Sequence, residues 1–357
     1  MEKEKKSKIK KILVNLTIFI LLIILTFSLV LKDQDVSQIF SVAAKVKKQY
    51  ILFAVLAMSI YILGEAVNIT RILKELGEKS KLISNIRYTL IGFFFSAITP
   101  AASGGQPMEI YYMHKDDISV ANSTLALLMQ LCSLQIVTIT VGTISAVIHF
   151  EVLKSGLIYL LILGIILNSS ALMLLIIAIF SKRLSEGLIK FVVKLLKFFR
   201  IPNVEKKQEK LEKELESYQT SAKYIKEHKI LMLKTVITTV VQMIAYYSVP
   251  YWIYLAFGLT EYNIFEILTL QAVLYATVSG IPSPGAVGVS EGGFLGIFKN
   301  VFPETIISSA MLLTRGANFY LFIIISAIIV MISTFREKRI EKKQMQETEV
   351  LTEKSEK

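Results

Sequence analysis

The feature that most constrains this chain is a series of uncharged apolar blocks of the length that crosses a lipid bilayer. The clearest block is Ile12–Leu31, and similar blocks cover Gly156–Phe180 and Phe319–Phe335. At about 1.5 Å per residue, roughly twenty helical residues cross a hydrocarbon core about 30 Å thick. Hydrophobic residues make up 54% of the sequence, which is more than a soluble chain usually carries. The sequence therefore predicts an all-α integral membrane protein.

The basic residues predict how the chain is oriented. Most of the 40 Lys and Arg residues fall in residues 1–11, 71–87, 182–229 and 336–357. Basic loops stay on the cytoplasmic side, so these segments and both termini are expected in the cytoplasm, beneath the cell membrane. Residues 32–49, which carry four lysines but must lie outside, depart from this rule. The same bias and anionic headgroups account for the net charge of +12, so we predict no nucleic-acid partner.

These patterns divide the chain into segments. Residues 1–11 form a basic cytoplasmic N-terminus, residues 12–335 a polytopic membrane domain, and residues 336–357 a charged tail predicted to be disordered. Within the membrane domain, residues 181–229 are predicted to be a cytoplasmic connector, amphipathic at first and then highly charged. The block Ile12–Leu31 is too long for a signal peptide and lacks a cleavage site, so we interpret it as a retained anchor.

Counting membrane crossings between the cytoplasmic segments exposes two conflicts. If Tyr88–Met113 and Ile264–Phe298 each crossed once, basic segments would fall outside. Both stretches contain a Gly/Pro-rich break, so each is predicted to be a re-entrant hairpin, with the two opening to opposite faces. The alternative is two kinked helices with tight loops.

The resulting prediction is six full spans plus two hairpins in an inverted-repeat-like arrangement. The spans are Ile12–Leu31, Tyr50–Ile69, Val120–Ile148, Gly156–Phe180, Ile230–Phe257 and Ile306–Phe335.

Two broken segments in corresponding halves indicate a transporter-like site near the bilayer midplane. Irregular backbone at that depth is tolerated only where protein buries it or where it lines a wet cavity.

The breaks also carry motifs that resemble those of the lysylphosphatidylglycerol synthase transmembrane-region family. The first motif consists of Thr99, Pro100, Gly104, Gly105, Pro107, Glu109 and Tyr111. The second consists of Pro282, Pro284, Gly285, Gly288, Glu291 and, further along, Arg315. The resemblance extends over roughly Ile12 to Phe335.

This resemblance implies a function in lipid transport. In the best-known relatives, the multiple peptide resistance factors, the membrane region is a lipid flippase. A soluble domain there transfers lysine from lysyl-tRNA to phosphatidylglycerol, and the product confers resistance to cationic antibiotics. Residues 336–357 are too few for such a domain. We therefore expect a stand-alone flippase of a phospholipid or of an aminoacylated phospholipid such as lysyl-phosphatidylglycerol.

Two other functions stay open. One is a phosphatidylglycerol lysyltransferase, acting alone or with a soluble partner, and the other is a lipid-binding scaffold that transports nothing. Candidate partners are a phospholipid with an anionic or aminoacylated headgroup, a soluble aminoacyltransferase and a second copy of the chain. No motif for hydrolysis, dinucleotide binding or ATP binding occurs, and the three histidines and single cysteine match no metal spacing. No catalytic residue, metal or cofactor is predicted.

The charged residues at membrane depth are the candidates for the site, because an ionisable group there costs several kcal/mol. Glu109 is placed in the first turn of a helix that Pro107 starts, and Glu291 has the equivalent place after the second break. In a functional interpretation Arg315 and the glycine-rich tips hold a lipid phosphate, while Glu109 and Glu291 face a cationic headgroup. In a structural interpretation Arg315 pairs with Glu291. Both interpretations stay open, and they are compatible.

Two further groups have simpler explanations in the sequence. Glu65 is expected to reach the membrane interface from its span, although a functional role is an alternative. An interfacial aromatic belt near an outer helix end is expected from Tyr246, Tyr247, Pro250, Tyr251 and Trp252, although a kinked gate is an alternative.

Overall fold

The computed structural model describes residues 41–99, 102–149, 157–181, 204–281 and 283–336, and the single positions 17, 183, 187 and 194. These residues form helices and contain no strand, as the sequence predicts. The helices are α1 (Lys48–Glu75), α2 (Leu82–Ala97), α3 (Gly105–Lys115), α4 (Val120–Ile148), α5 (Leu157–Phe180), α6 (Val204–Glu227), α7 (Lys229–Ala256), α8 (Ile264–Val278), α9 (Val289–Ile297) and α10 (Ile307–Arg336).

Five of these helices, α1, α4, α5, α7 and α10, are long and apolar enough to cross a membrane. They coincide with five of the six predicted spans, and the chain is an all-α, multi-pass membrane protein. The sixth predicted span, Ile12–Leu31, lies outside the described residues except for Thr17. The tail after Arg336 and most of the predicted amphipathic stretch before Val204 also lie outside them.

The two predicted hairpins correspond to two pairs of short helices. Helices α2, α3, α8 and α9 have 16, 11, 15 and 9 residues. At 1.5 Å per residue these are about 24, 16, 22 and 14 Å long, all shorter than the hydrocarbon core. Within each pair the helices pack against each other. These lengths agree with re-entrant hairpins, whose depth in the bilayer stays a prediction.

The first break is shorter than the sequence predicted, for a local reason. The Thr99 hydroxyl accepts the N–H of Gly104 at 2.9 Å and donates to the carbonyl of Phe95 at 2.6 Å. These two hydrogen bonds connect the end of α2 to Gly104, so α3 begins at Gly105 rather than at Pro107. Pro107 is therefore the third helical residue, and Glu109 lies just beyond the first turn.

Two apolar clusters surround the hairpins. The first combines α2, α3 and α4 with the ends of α1 and α6, and the second combines α8, α9 and the start of α10 with parts of α1, α5 and α7. Helices α1 and α7 pack extensively on each other. A buried polar network joins them to α4, in which the Asn68 amide donates to Gln130 at 2.8 Å and to Thr239 at 3.0 Å. The site described next lies between the two clusters.

Candidate functional site

Both breaks border a cavity of about 290 Å³, which we call the arginine cavity. Ala102 of the first break, Ser283 and Gly285 of the second, and Arg315 of α10 line it. The turn at Pro284–Ala286 also packs against α2 of the opposite hairpin. The structure thus brings the two breaks together although more than 150 residues separate them.

A second cavity of about 660 Å³ adjoins the first, and we call it the carboxylate cavity. Glu65 of α1 and Glu109 of α3 line it, together with polar groups that include Gln135 and Asn168. Tyr61, Ser96 and Tyr275 contribute to both cavities, so the two lie side by side among the helices, and we call the pair the polar region.

Arg315 is held in the wall of the arginine cavity by a buried ion pair. Its Nε donates to Glu291 Oε1 at 2.8 Å, and its Nη2 donates to the carbonyl of Gly285 at 3.0 Å. Its guanidinium also lies 4.0 Å from the ring centroid of Phe319, within a π-helical turn over Gly316–Tyr320. A guanidinium has five N–H groups, so Arg315 retains donors for an anion in the cavity.

The carboxylate of Glu291 accepts several hydrogen bonds inside the protein. It is not exposed, and besides Arg315 it accepts the N–H of Gly288 at 2.7 Å and the hydroxyl of Tyr320 at 3.3 Å. The Glu291 carboxylate therefore faces the Arg315 guanidinium in this structure, and its predicted contact with a cationic headgroup stays a prediction. The predicted pairing of Arg315 with Glu291 is present, and it fixes the arginine in place.

The backbone of the second break depends on two glycines in the left-handed region. Gly285 has φ of +59° and Gly288 has φ of +88°. Glycine adopts these angles without the steric cost that a side chain adds. At Gly285 a Cβ atom would also overlap the ring of Phe319, which packs under Arg315. The Gly-rich sequence thus lets the chain turn closely around the arginine.

Glu109 lies in a different environment from Glu291. Its side chain is buried, with 2% exposed, and its Oε2 has no hydrogen-bond partner among the described residues. Its Oε1 lies so close to Gly92 of α2 that a Cβ atom there would overlap it. Glu65 shares the cavity with Glu109 and interacts with it electrostatically.

Glu65 and a group of tyrosines differ from their sequence-based interpretations. Glu65 lies well inside α1 and lines the carboxylate cavity, so it does not serve as an interfacial residue. Tyr246 and Tyr247 pack with Tyr61 and Tyr275 at ring-centroid distances of 5.2–5.8 Å, and Tyr247 is completely buried. They form an internal aromatic cluster instead of a membrane belt. The sequence does contain a signal for the position of Glu65, because it is the one carboxylate in its apolar block.

The other predicted residues shape the breaks or lie away from the cavities. Gly104 and Gly105 allow close packing, because Cβ atoms there would overlap Thr99 and Ser96. Pro284 starts the turn of the second break. Pro107 is exposed, and Tyr111 is 42% exposed and lines neither cavity. Pro100 and Pro282 lie outside the described residues.

The long apolar helices and two interrupted hairpins around a charged interior define a multi-pass helical membrane protein with an internal polar site. The family described as the lysylphosphatidylglycerol synthase TM region matches residues 12–326. The match covers most of the chain and contains both breaks and Arg315, so the protein belongs to this family. No curated protein sequence matches the chain.

Proposed function

We propose that this protein translocates a phospholipid whose headgroup carries both a phosphate and an amine, such as lysyl-phosphatidylglycerol. The observation that carries the proposal is the division of charge inside the polar region. Arg315 borders one cavity, and the carboxyl groups of Glu65 and Glu109 border the adjoining one. An anionic phosphate and a cationic amine on the same headgroup complement these two ends.

The charged groups that line each of the two cavities support the assignment of the phosphate to Arg315 and of the amine to the glutamates. Arg315 keeps donors beyond those used by Glu291 and Gly285, and arginine is well suited to bind phosphate. Glu109 has an unpartnered oxygen, which an ammonium group would satisfy. A phosphate without an amine would provide no partner for the two glutamates, which favours an aminoacylated lipid over phosphatidylglycerol itself.

The proposal is tested with purified protein in liposomes that contain fluorescent phospholipids. Wild-type protein should move lysyl-phosphatidylglycerol between leaflets faster than phosphatidylglycerol. Arg315→Ala should slow movement of both lipids, whereas Glu109→Gln should remove the preference for the amine. The matched controls are Arg336→Ala, at the exposed end of the same helix α10, and Glu261→Gln, at an exposed loop position. Both controls should behave as wild type.

The proposal fails if wild-type protein accelerates the movement of none of the lipids, or if well-folded Arg315→Ala transports them normally. Equal rates for the two lipids would retain transport but contradict the assignment of the glutamates to an amine.

The name of the family supports a second candidate, lysylphosphatidylglycerol synthesis. In this alternative the protein transfers lysine from lysyl-tRNA to phosphatidylglycerol, alone or with a soluble aminoacyltransferase. Formation of labelled lysyl-phosphatidylglycerol from lysyl-tRNA by the purified chain would favour the enzyme. We expect no product from the chain alone.

A further inference from the structure

The carboxyl group of Glu109 is buried among the helices without a compensating charge from the described residues that line its cavity. Its Oε2 accepts no hydrogen bond from any described residue, and only 2% of the residue is exposed. Removing a carboxylate from water without a partner costs several kcal/mol. The group must therefore bind a proton, or a cation from the cavity it lines.

No neighbouring cation neutralises this group. Among the described residues that line the carboxylate cavity there is no Lys, Arg or His. The titratable groups that face the cavity are Tyr61 and Glu65 from α1, Glu109 from α3 and Tyr275 from α8, while α2, α4 and α5 contribute only non-titratable side chains. Arg315, in the adjoining cavity, is paired with Glu291. Glu65 brings a second carboxyl group into the same cavity, which increases the imbalance.

Comparison with Glu291 shows that a buried carboxyl group without a neighbouring cation is not a general property of the two breaks. Glu291 follows the second break and accepts hydrogen bonds from Arg315, Gly288 and Tyr320. Glu109 follows the first break and has none of these partners. Gly92 brings the backbone of α2 against the Glu109 carboxyl group, which restricts how far that group can turn away.

We propose that Glu65 and Glu109 form a proton-binding site that exchanges its proton for the amine of the bound headgroup. In the absence of an amine, the pair holds a proton on Glu109. When an ammonium group enters, the Glu109 carboxylic acid releases this proton to water in the cavity, and the resulting carboxylate pairs with the ammonium. One proton leaves for each amine bound, so charge is conserved in the site and binding of the lipid is coupled to protons.

This inference rests on the proposed function for the source of the amine, but its first test needs no transport. The protein is placed in nanodiscs of phosphatidylglycerol, and the infrared C=O stretching band of a protonated carboxylic acid is followed from acid to alkaline pH. Wild-type protein should show this band at neutral pH, and Glu109→Gln should lose it. Glu261→Gln, which removes an exposed carboxylate, should retain it. Glu65→Gln should retain the band but shift its titration midpoint.

The second arm adds lysyl-phosphatidylglycerol to the nanodiscs. The band assigned to Glu109 should decrease as the amine binds, whereas added phosphatidylglycerol should leave it unchanged. Thermal unfolding of each variant, measured in the same nanodiscs, shows whether a lost band reflects a lost fold, and Glu65→Gln provides an independent perturbation if Glu109→Gln fails to fold.

Absence of a Glu109-dependent band at neutral pH, or a band that the amine lipid does not change, would overturn the inference. Transport without such a band would refute only the proton site. A band without transport in liposomes would instead refute the proposed translocation.

Discussion

Two glutamates occupy corresponding positions after the two breaks, and the groups around each one give them different roles. Glu291 meets Arg315, a backbone N–H and a tyrosine hydroxyl, so it stabilises the second break. Glu109 meets the backbone of Gly92 and a cavity, and its Oε2 has no hydrogen-bond partner among the described residues. The residue type thus marks both positions, but the partners decide which glutamate is structural.

The Arg315–Glu291 pair predicts strong coupling between two substitutions. Arg315→Leu or Glu291→Gln alone leaves a buried polar group without its partner and should lower the free energy of unfolding by about 3–5 kcal/mol. The double variant should recover part of this loss, whereas lipid transport should be absent from all three. Thermal unfolding in detergent and transport in liposomes measure the two effects. Additive losses in the double variant would contradict the coupling.

The contact between Gly92 and Glu109 predicts a sensitive position. Gly92→Ala introduces a methyl group that overlaps the Glu109 carboxyl group, so we expect a loss of about 1–3 kcal/mol from overpacking and a marked loss of transport. Gly292→Ala in α9 is the matched control, because a Cβ atom there has no neighbour within 4 Å. It should change stability by less than about 1 kcal/mol and leave transport unchanged. Normal transport by Gly92→Ala would show that the position of Glu109 is not critical.

At the scale of elements, the hairpins depend on short local interactions that close each break. In the first hairpin the Thr99 hydroxyl connects the end of α2 to the start of α3. In the second, the N–H of Gly288 donates a hydrogen bond to Glu291, and the carbonyl of Gly285 accepts one from Arg315 of α10. The first break is therefore held by its own residues, and the second depends on a helix that follows it.

The role of Thr99 is testable by a substitution of similar shape. Thr99→Val removes the hydroxyl that accepts the Gly104 N–H, so stability should fall by about 1–2 kcal/mol. Thr124→Val is the control, since the Thr124 hydroxyl only donates to the Val120 carbonyl within helix α4. Thermal unfolding in detergent compares the two variants. Equal stability of both would indicate that the threonine cap contributes little.

At the scale of the whole molecule, two apolar clusters each enclose one hairpin and leave the polar region between them. The charge pattern of the sequence predicts that the hairpins open to opposite faces of the membrane. Under the proposed function, such an arrangement would give a headgroup a route through the protein.

Cysteine labelling tests this arrangement. Cys132 is first replaced by Ser, and single cysteines are then introduced at His114, Lys213 and Glu261, which are all exposed. We expect a membrane-impermeant maleimide to label His114→Cys and Lys213→Cys only from the cytoplasmic side, and Glu261→Cys only from outside. Labelling of His114→Cys from outside would contradict the first re-entrant hairpin.

The sequence by itself determined the class of protein, five of the described spans, the two breaks and the residues that form their motifs. These features depend on local hydrophobicity, glycine and proline, which act over a few residues. Tertiary structure decided which charges meet, because Glu65, Glu109 and Tyr275 come from helices far apart in the chain and share one cavity only after packing. It also decided that Glu291 is paired while Glu109 Oε2 has no hydrogen-bond partner among the described residues, because a charge at membrane depth takes its role from the groups that surround it.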